Sequence, residues 1–237
     1  RGEDFGAAEV AAHFGLILFD CQPQGLGAMT IISPAEDIKD KLATLSEFPV
    51  LEGTCIRLRG IRENDVDGLF QLFSEPEVMR YWSRGPMNER QEAVDYAQNI
   101  LEGFARRDLL NWIVADAESD VMIGTTTLYE INTQHARAGL GYALLPAFWG
   151  KGLAKESATL AICYGFLELG LHRIEADTEP NNVRSNRVLE SLGFQREGLL
   201  RERFRHPDGI QDSLIFGMLK AEWIGYLETQ GYRFESG

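Results

Sequence analysis

Long apolar runs are missing from this sequence of 237 residues. A helix that crosses a bilayer needs about 20 predominantly apolar residues in succession, and the run from Phe14 to Phe19 is far shorter. There is also no basic segment followed by an apolar stretch and a small-residue cleavage site, which is the pattern of an export signal. We therefore expect no membrane association and no export.

Cysteine is scarce as well. Cys21, Cys55 and Cys163 are widely spaced, and no two of them form a CxxC pair. This argues against a disulfide framework and against a zinc site, and it favours buried free thiols. We expect a reducing compartment, the cytoplasm, and no bound metal.

Positive charge is also in short supply, because 23 Lys and Arg stand against 36 Asp and Glu, for a net charge of -13. A protein that neutralises phosphates is basic as a rule, so we expect no nucleic-acid partner. The acidity is able to steer a cationic substrate towards the protein. The alternative is that it serves solubility alone.

Residues 1–50 carry no chemical motif and read as an N-terminal extension of unknown role. Two apolar runs of strand length, 14–19 and 29–32, are followed by a helix start at Ser33, Pro34 and Glu36. That helix has an apolar face made by Ile38, Leu42 and Leu45. We expect the extension to cover a sheet edge or to mediate formation of a homodimer.

Residues 51–237 are regular and predict one α/β domain. Apolar spacing predicts helices at 65–74, from Asn88 onwards, at 153–169 and at 184–192. The second of these has a predicted buried stripe of Ala93, Tyr96, Ala97, Ile100, Leu101 and Phe104. Strands are predicted near 56–61 and at 111–115, 121–129, 138–145, 173–178, 198–205 and 210–219. The order β-α-α-β-β-β-α-β-α-β-β predicts a mixed sheet with helices on both faces.

The loop from Pro146 to Ala154 joins a predicted strand to a predicted helix. Gly150 and Gly152 allow close backbone approach to a ligand and unusual dihedral angles, and the helix start that follows favours an anion. The pattern fits neither a P-loop nor a dinucleotide GxGxxG motif. Taken alone, Gly-Lys-Gly is more often a simple chain turn, so the interpretation depends on the rest of the sequence.

The segment Asn182 to Phe194, thirty residues further on, supplies that support. The loop resembles the Q/R-x-x-G-x-G/A motif of the GNAT acyltransferase superfamily, and this second segment is similar to its N-x-x-S…G-F signature. Together with Gly141-Tyr142 and 173–176, they resemble the ribosomal-protein N-terminal acetyltransferase branch. The resemblance extends from Thr54 to Trp223.

The resemblance implies a mostly antiparallel sheet in which two parallel neighbours, 140–145 and 173–178, splay apart to admit the pantetheine arm of acetyl-CoA. It implies that the backbone of Ala143, Leu144 and Leu145 pairs with pantetheine. The pyrophosphate is then held by the loop and helix start, and Asn182 and Arg187 bind the amides and the phosphates. The loop residues are Trp149, Gly150, Lys151, Gly152, Leu153, Ala154 and Lys155. Trp149 stands where the motif often has Gln or Arg.

Acyl transfer to an amine needs a base for the ammonium proton and an acid for the leaving thiolate. Ser185 is the candidate acid, although a Ser in a first helical turn often only satisfies backbone amides. Glu175 is the candidate base, with an ion pair to Arg173 as the equally weighted alternative. Glu130 and His135 follow, since Gly139 occupies a position that is commonly acidic in related proteins.

The expected function is acetyl transfer to a primary amine, first of all a protein N-terminus in a ternary complex. A small amine such as an antibiotic, a polyamine or an amino-acid-like molecule is the alternative. A catalytically silent acyl-CoA-binding module is the third hypothesis. The resemblance places acceptor recognition at 79–87 and 201–212.

Overall fold

Ten strands and seven α-helices make up the part of the chain that the computed structural model describes, residues 28–30, 37–206 and 209–235. The strands are β1 (Ala28–Thr30), β2 (Leu51–Glu52), β3 (Ile56–Arg59), β4 (Leu110–Asp116), β5 (Met122–Asn132), β6 (Arg137–Leu144), β7 (Arg173–Thr178), β8 (Gln195–His206), β9 (Gly209–Leu219) and β10 (Arg233–Glu235). The helices are α1 (Ile38–Thr44), α2 (Val66–Ser74), α3 (Pro76–Met79), α4 (Arg90–Arg106), α5 (Leu153–Cys163), α6 (Val183–Ser191) and α7 (Lys220–Thr229). A π-helical stretch, Tyr164–Leu169, continues α5.

The main sheet has eight strands in the order β2-β3-β4-β5-β6-β7-β9-β8. Every neighbouring pair is antiparallel except β6 and β7. The predicted fold class is therefore confirmed, and so is the predicted order of elements from β3 to β9. The pattern had not predicted β2, α3, α7 or the small β1–β10 sheet. No helix within 28–30, 37–206 and 209–235 is long and apolar enough to cross a bilayer.

The N-terminal predictions have mixed outcomes. β1 overlaps the strand predicted at 29–32 and pairs in parallel with β10. The apolar run 14–19 and the helix start at Ser33, Pro34 and Glu36 lie outside the described residues. Within the described residues, helix α1 begins at Ile38, where the Asp37 side chain accepts a hydrogen bond from the Lys39 amide at 3.3 Å and caps it.

Each face of the main sheet carries its own apolar core. Trp112 and Phe216 are fully buried on the α5 side, and Phe73 and Ile113 are fully buried on the side of α2 and α4. The predicted buried stripe of α4 was wrong at Leu101, which is 47% exposed. Gly103 is buried on this helix, and because it has no Cβ, the Leu109 side chain packs directly against it.

Strands β6 and β7 part in the middle of the sheet. Their pairing consists of Arg137 with Arg173, Ala138 with Ile174 and Gly139 with Glu175, and it stops there. Beyond that point β6 stays with β5 while β7 stays with β9 through Thr178. A wedge therefore opens between 140–144 and 176–178, where the splayed pair was expected.

Candidate active site

The loop at the mouth of the wedge needs its two glycines for their backbone conformation. Gly150 has φ +74° and Gly152 has φ +81°, values that side-chain-bearing residues rarely adopt. A Cβ built at either position would meet no atom within 4 Å. The loop thus folds back and leaves open space directly in front of its backbone.

Helix α5 presents unpaired amides to that space. Its first i→i−4 hydrogen bond runs from the Glu156 amide to the Gly152 carbonyl at 3.0 Å, so the amides of 153–155 precede the ladder. Three cationic side chains, Lys155, Arg184 and Arg187, line the cavity beside them. Free amides, the helix dipole and these cations together suit an anion such as a pyrophosphate.

The backbone of β6 turns alternate residues towards the wedge. The Leu145 amide donates to the Ile123 carbonyl at 2.9 Å, and the Leu145 carbonyl accepts from Phe148 at 2.9 Å. By the alternation of an antiparallel ladder, Ala143 also directs its backbone to β5, whereas Tyr142 and Leu144 direct theirs to the wedge. Of the three residues predicted to pair with pantetheine, Leu144 directs its backbone to the wedge, as Tyr142 does, while Ala143 and Leu145 direct theirs to β5.

Trp149 is tied to the same edge. Its indole Nε1 donates to the Leu144 carbonyl at 2.7 Å, and the Arg184 guanidinium lies 4.6 Å from the ring centroid in a cation–π contact. The aromatic ring therefore forms one wall of the cavity and joins the strand to the start of α6.

Asn182, Ser185 and Tyr142 meet at the base of the wedge. The Asn182 Oδ1 accepts from the Ser185 amide at 3.2 Å and caps α6. The Ser185 Oγ lies 2.9 Å from the Tyr142 Oη. Burial raises the pKa of Tyr142 to about 12, against the opposing effect of the hydrogen bond with Ser185. The phenol is therefore protonated at neutral pH and able to donate.

A second cavity, of about 410 Å³, opens on the other side of the wedge. Both segments expected to recognise the acceptor contribute to its wall. From the first come Tyr81, Trp82 and Ser83, and from the second come Arg203, Phe204 and Gln211. A bulge in β8 between Leu200 and Phe204, with Glu202 at φ +56°, brings the hairpin residues to this cavity.

The acidic candidates differ in their partners. Glu175 accepts from Arg173 Nε at 2.7 Å and from Arg137 at 3.1 Å, so the ion pair expected as an alternative is present. Glu130 lies on the cavity wall at a bulge of β5, with φ +50°. His135 is exposed and lies outside the wall.

Gly139 lacks a side chain for a steric reason. A Cβ there would overlap the aromatic ring of Tyr129, its cross-strand neighbour. The Tyr129 hydroxyl donates to Asp177 Oδ1 at 3.2 Å, across the wedge. Burial first, and then the charge of Asp177, raises the pKa of Tyr129 above its ordinary value.

The cavity on the loop side measures about 450 Å³. It shares five wall residues with the cavity on the other side. They are Tyr81, Trp82, Tyr142, Asn182 and Ser185. Two binding spaces thus meet at the Tyr142–Ser185 pair, in the gap between the two parted strands.

The sequence profile of the acetyltransferase (GNAT) domain matches residues 56–195. This chain belongs to the GNAT acetyltransferase family. It is an acetyltransferase, and its acetyl donor is acetyl-CoA. The match includes both the glycine loop and the α6 segment, the two stretches that shape the loop-side cavity.

Similar proteins span nearly all of this family domain. An uncharacterised N-acetyltransferase, p20, of Bacillus licheniformis is 39% identical over 174 residues, which are 72% of this chain and 96% of the relative. Spermidine N(1)-acetyltransferase of Escherichia coli K12 is 33% identical over 177 residues, 74% of this chain and 92% of that protein. A solved structure of spermidine N-acetyltransferase from Vibrio cholerae, in complex with CoA and spermine, has a TM-score of 0.66 and 26% identity, and covers 73% of this chain and 99% of its own.

Several residues of the site carry no clear sequence signal. Tyr129 and Asp177 lie 48 positions apart, and only the cross-strand register brings them together. Arg184, next to the motif Ser, has the pattern of an ordinary helix-surface residue, and its role depends on the Trp149 ring beneath it. The sequence favours a core aromatic for Tyr142, with a hydrogen-bond donor as the alternative, and alternation places Asp177 on the polar face of β7.

Proposed function

We propose that this chain transfers the acetyl group of acetyl-CoA directly to the primary amine of a cationic molecule. The observation that carries the proposal is the meeting of the two cavities at Tyr142 and Ser185. Acetyl-CoA supplies the thioester from the loop side, and the amine approaches from the opposite side. We propose that 51–237 hold this activity.

The cofactor fits the residues present. Open space lies in front of the positive-φ loop at Gly150 and Gly152, and unpaired amides and three cations lie beside it. We propose that the amides of 153–155, with Lys155, Arg184 and Arg187, hold the phosphates. Tyr142 and Leu144 pair with the pantetheine arm, and Asn182 lies near its amides.

Direct transfer is favoured by the absence of a suitable thiol from both cavity walls. Among the residues described, the cysteines are Cys55, which is exposed, and Cys163, which is buried, and neither is in a disulfide. Neither of them lines either cavity. A covalent acetyl-cysteine stage therefore has no support from these residues, and both substrates must be bound together.

Tyr142 and Ser185, at which the two cavities meet, deliver the proton to the departing thiolate. The Tyr142 hydroxyl is the acid that reaches into both cavities, and Ser185 Oγ, 2.9 Å away, orients it or replaces its proton. Because burial raises the pKa of Tyr142 to about 12, the group holds its proton until it is needed.

A cationic acceptor is favoured by the charges of the second cavity. Glu175 and Asp177 have arginine partners, but no ion pair joins Glu130 or Glu179 to a cation in the part of the chain that the structure describes. The net charge of -13 adds long-range attraction for a cation. The two relatives named for spermidine make a polyamine the first acceptor to try.

A protein N-terminus is the second candidate, and β8 favours it. This strand of 12 residues ends the sheet, and no other strand of the described residues pairs with its outer edge. Leu199 and Leu200 on it are 45% and 42% exposed. An extended peptide is able to pair with such an edge while its amino group enters the cavity.

An acceptor screen separates these hypotheses. Release of the CoA thiol is measured with spermidine, spermine, a peptide with a free N-terminus and the same peptide with a blocked N-terminus. We expect the largest kcat/KM with a polyamine and no release with the blocked peptide. Release with the free peptide alone would support the second candidate. No release with any amine, in a protein that binds acetyl-CoA, would indicate a silent acyl-CoA-binding module.

A further inference from the structure

The acceptor amine arrives as an ammonium ion at neutral pH and must lose a proton before it attacks the thioester. Gly139, in the cavity wall, offers no side chain for this task, and the Tyr129 ring fills the space where one would stand. Glu175, one strand away, already has two arginine partners. The proton acceptor must therefore come from another position on the cavity wall.

Asp177 is placed for this role. Glu175 is the last residue of β7 that pairs with β6, and Asp177 follows it by two positions. Asp177 therefore shares the face of Glu175 and borders the open part of the wedge. Its side chain is 22% exposed, enough for contact with a ligand and little enough for a fixed position. It lines the same cavity as the Tyr142–Ser185 pair.

The partners of Asp177 fix one oxygen more firmly than the other. The Tyr129 hydroxyl donates to Oδ1 at 3.2 Å. Arg203 Nε and Ser213 Oγ each lie 3.4 Å from Oδ2, at the long limit for hydrogen bonds. Oδ2 therefore retains capacity to accept from an ammonium group that enters the cavity.

The geometry points to Asp177 as the catalytic base, with Tyr129 as the residue that positions it. This inference rests on the proposed direct transfer to an amine. An N–H bond of the acceptor ammonium breaks and its proton moves to the Asp177 carboxylate. The freed nitrogen lone pair forms the new C–N bond, the C–S bond of the thioester breaks with its electrons on sulfur, and Tyr142 protonates the thiolate. The nitrogen then loses its second proton, which returns through Ser185 to the Tyr142 oxygen and leaves a neutral amide. Asp177 then releases its proton to solvent through the open cavity.

Other titratable groups face the same space, and a pH effect must be assigned among them. They are Tyr81, Tyr129, Glu130, Arg137, Tyr142, Glu175, Glu179 and Arg203. Of these, Glu130 and Glu179 are the carboxylates that compete for the role. Variants of both belong in the same experiment.

The test compares Asp177→Asn with Asp95→Asn, a matched change on the exposed face of α4, where Asp95 contacts only Gln91 by a side-chain hydrogen bond. Steady-state kinetics with the best acceptor are measured from pH 6.5 to 10, and acetyl-CoA affinity is measured by calorimetry. We expect Asp177→Asn to lower kcat by about 100-fold at pH 7. The deficit should shrink as pH rises, because more of the amine is already neutral. Affinity for acetyl-CoA should stay unchanged, and Asp95→Asn should match the wild type.

Tyr129→Phe provides a second measurement that keeps the ring against Gly139 and removes only the hydroxyl. We expect it to lower kcat about tenfold and to leave the KM for acetyl-CoA unchanged, since Asp177 is still present but less well fixed. Asp177→Glu should restore part of the lost rate, because it returns a carboxylate.

Two results would overturn the inference. The first is a folded Asp177→Asn variant with wild-type kcat at pH 7. The second is an Asp177→Asn variant whose deficit is the same at every pH, which indicates a structural role through Arg203 and Ser213. If Glu130→Gln or Glu179→Gln instead shows the pH-dependent loss, the base is that residue. Failure of the proposed function itself is distinct, because then the wild-type protein acetylates no amine at all.

Discussion

At the scale of single residues, the junction of the two cavities depends on one short contact. The Tyr142 hydroxyl and Ser185 Oγ lie 2.9 Å apart, and the Tyr142 hydroxyl also lies 3.3 Å from the Ser185 carbonyl. The serine is the sequence-based candidate for the acid. In the structure both side chains are partly buried, desolvation raises the pKa of the tyrosine, and the serine sits in the first turn of α6.

A double-mutant cycle separates the contributions of Tyr142 and Ser185 to kcat. We expect Tyr142→Phe to lower kcat about 100-fold and Ser185→Ala to lower it less, about tenfold, with acetyl-CoA affinity unchanged in both. The two changes should be less than additive, because they remove one proton path. Full additivity, or a larger loss for Ser185→Ala, would make the serine an independent acid.

The pKa of about 12 for Tyr142 also fixes the sign of a pH effect. A donor works in its protonated form, so its contribution persists below this pKa and is lost as pH rises through it. The wild-type rate should therefore show no decline from this group between pH 7 and pH 10.

At the scale of secondary-structure elements, we propose that the glycine loop and the start of α5 form the anion site. We expect Gly152→Asp to abolish acetyl-CoA binding, because the new side chain enters the open space before the amides and carries a repelling charge. Gly231→Asp is the matched control, since Gly231 also has positive φ, +93°, and a Cβ at that position would likewise meet nothing within 4 Å. Both changes should lower stability by about 1–2 kcal/mol.

Calorimetric titration measures the affinity of these two variants for acetyl-CoA. The control separates backbone strain from loss of the site. A folded Gly152→Asp protein with wild-type affinity would remove the loop from the cofactor site.

These elements also show which features the sequence could predict. Strand β7 begins and ends where its alternation predicted, since Ile174 and Ala176 face the core while Arg173 and Glu175 do not. The loop and α6 were predicted because their signals are local. The Tyr129–Asp177 contact was out of reach because it depends on the register of β5, β6 and β7, which no local pattern encodes.

Short or irregular elements were the other failures of prediction. Helix α3 has four residues and is begun by Pro76, so its periodicity is too brief to detect, yet it places Tyr81 and Trp82 in both cavities. The bulge of β8 interrupts alternation at Leu200 and brings Phe204 to the acceptor cavity. Helix α3 and the bulge of β8, which have no regular sequence pattern, thus help to form the wall of the cavity proposed for the acceptor.

At the scale of the whole molecule, the N-terminal segment is joined to the domain more closely than its lack of motifs suggested. Helix α1 buries Ile38 and Leu42 in the core on the α5 side. Phe48 stacks on Phe104 with ring centroids 4.2 Å apart. We therefore propose that the domain begins near residue 37 rather than at 51.

Two truncations test this boundary. Deletion of 1–36 should leave acetyl-CoA affinity unchanged and lower the melting temperature little. Deletion of 1–48 should lower the free energy of unfolding by about 4 kcal/mol or more, because two buried aliphatic side chains and an aromatic contact are lost. Thermal denaturation and light scattering measure stability and oligomeric state together. Equal stability of the two truncated proteins would return the boundary to residue 50.

The four tryptophans are distributed in a way that has a spectroscopic consequence. Trp112 and Trp223 are fully buried and remote from solvent. Trp82 is in the wall of both cavities, and Trp149 is in the wall of the loop-side cavity alone. Because the Trp149 indole is hydrogen-bonded to Leu144 and covered by Arg184, its emission depends on what occupies that cavity. Of the four native fluorophores, we therefore expect Trp82 to respond to both ligands and Trp149 to respond to the acetyl donor alone.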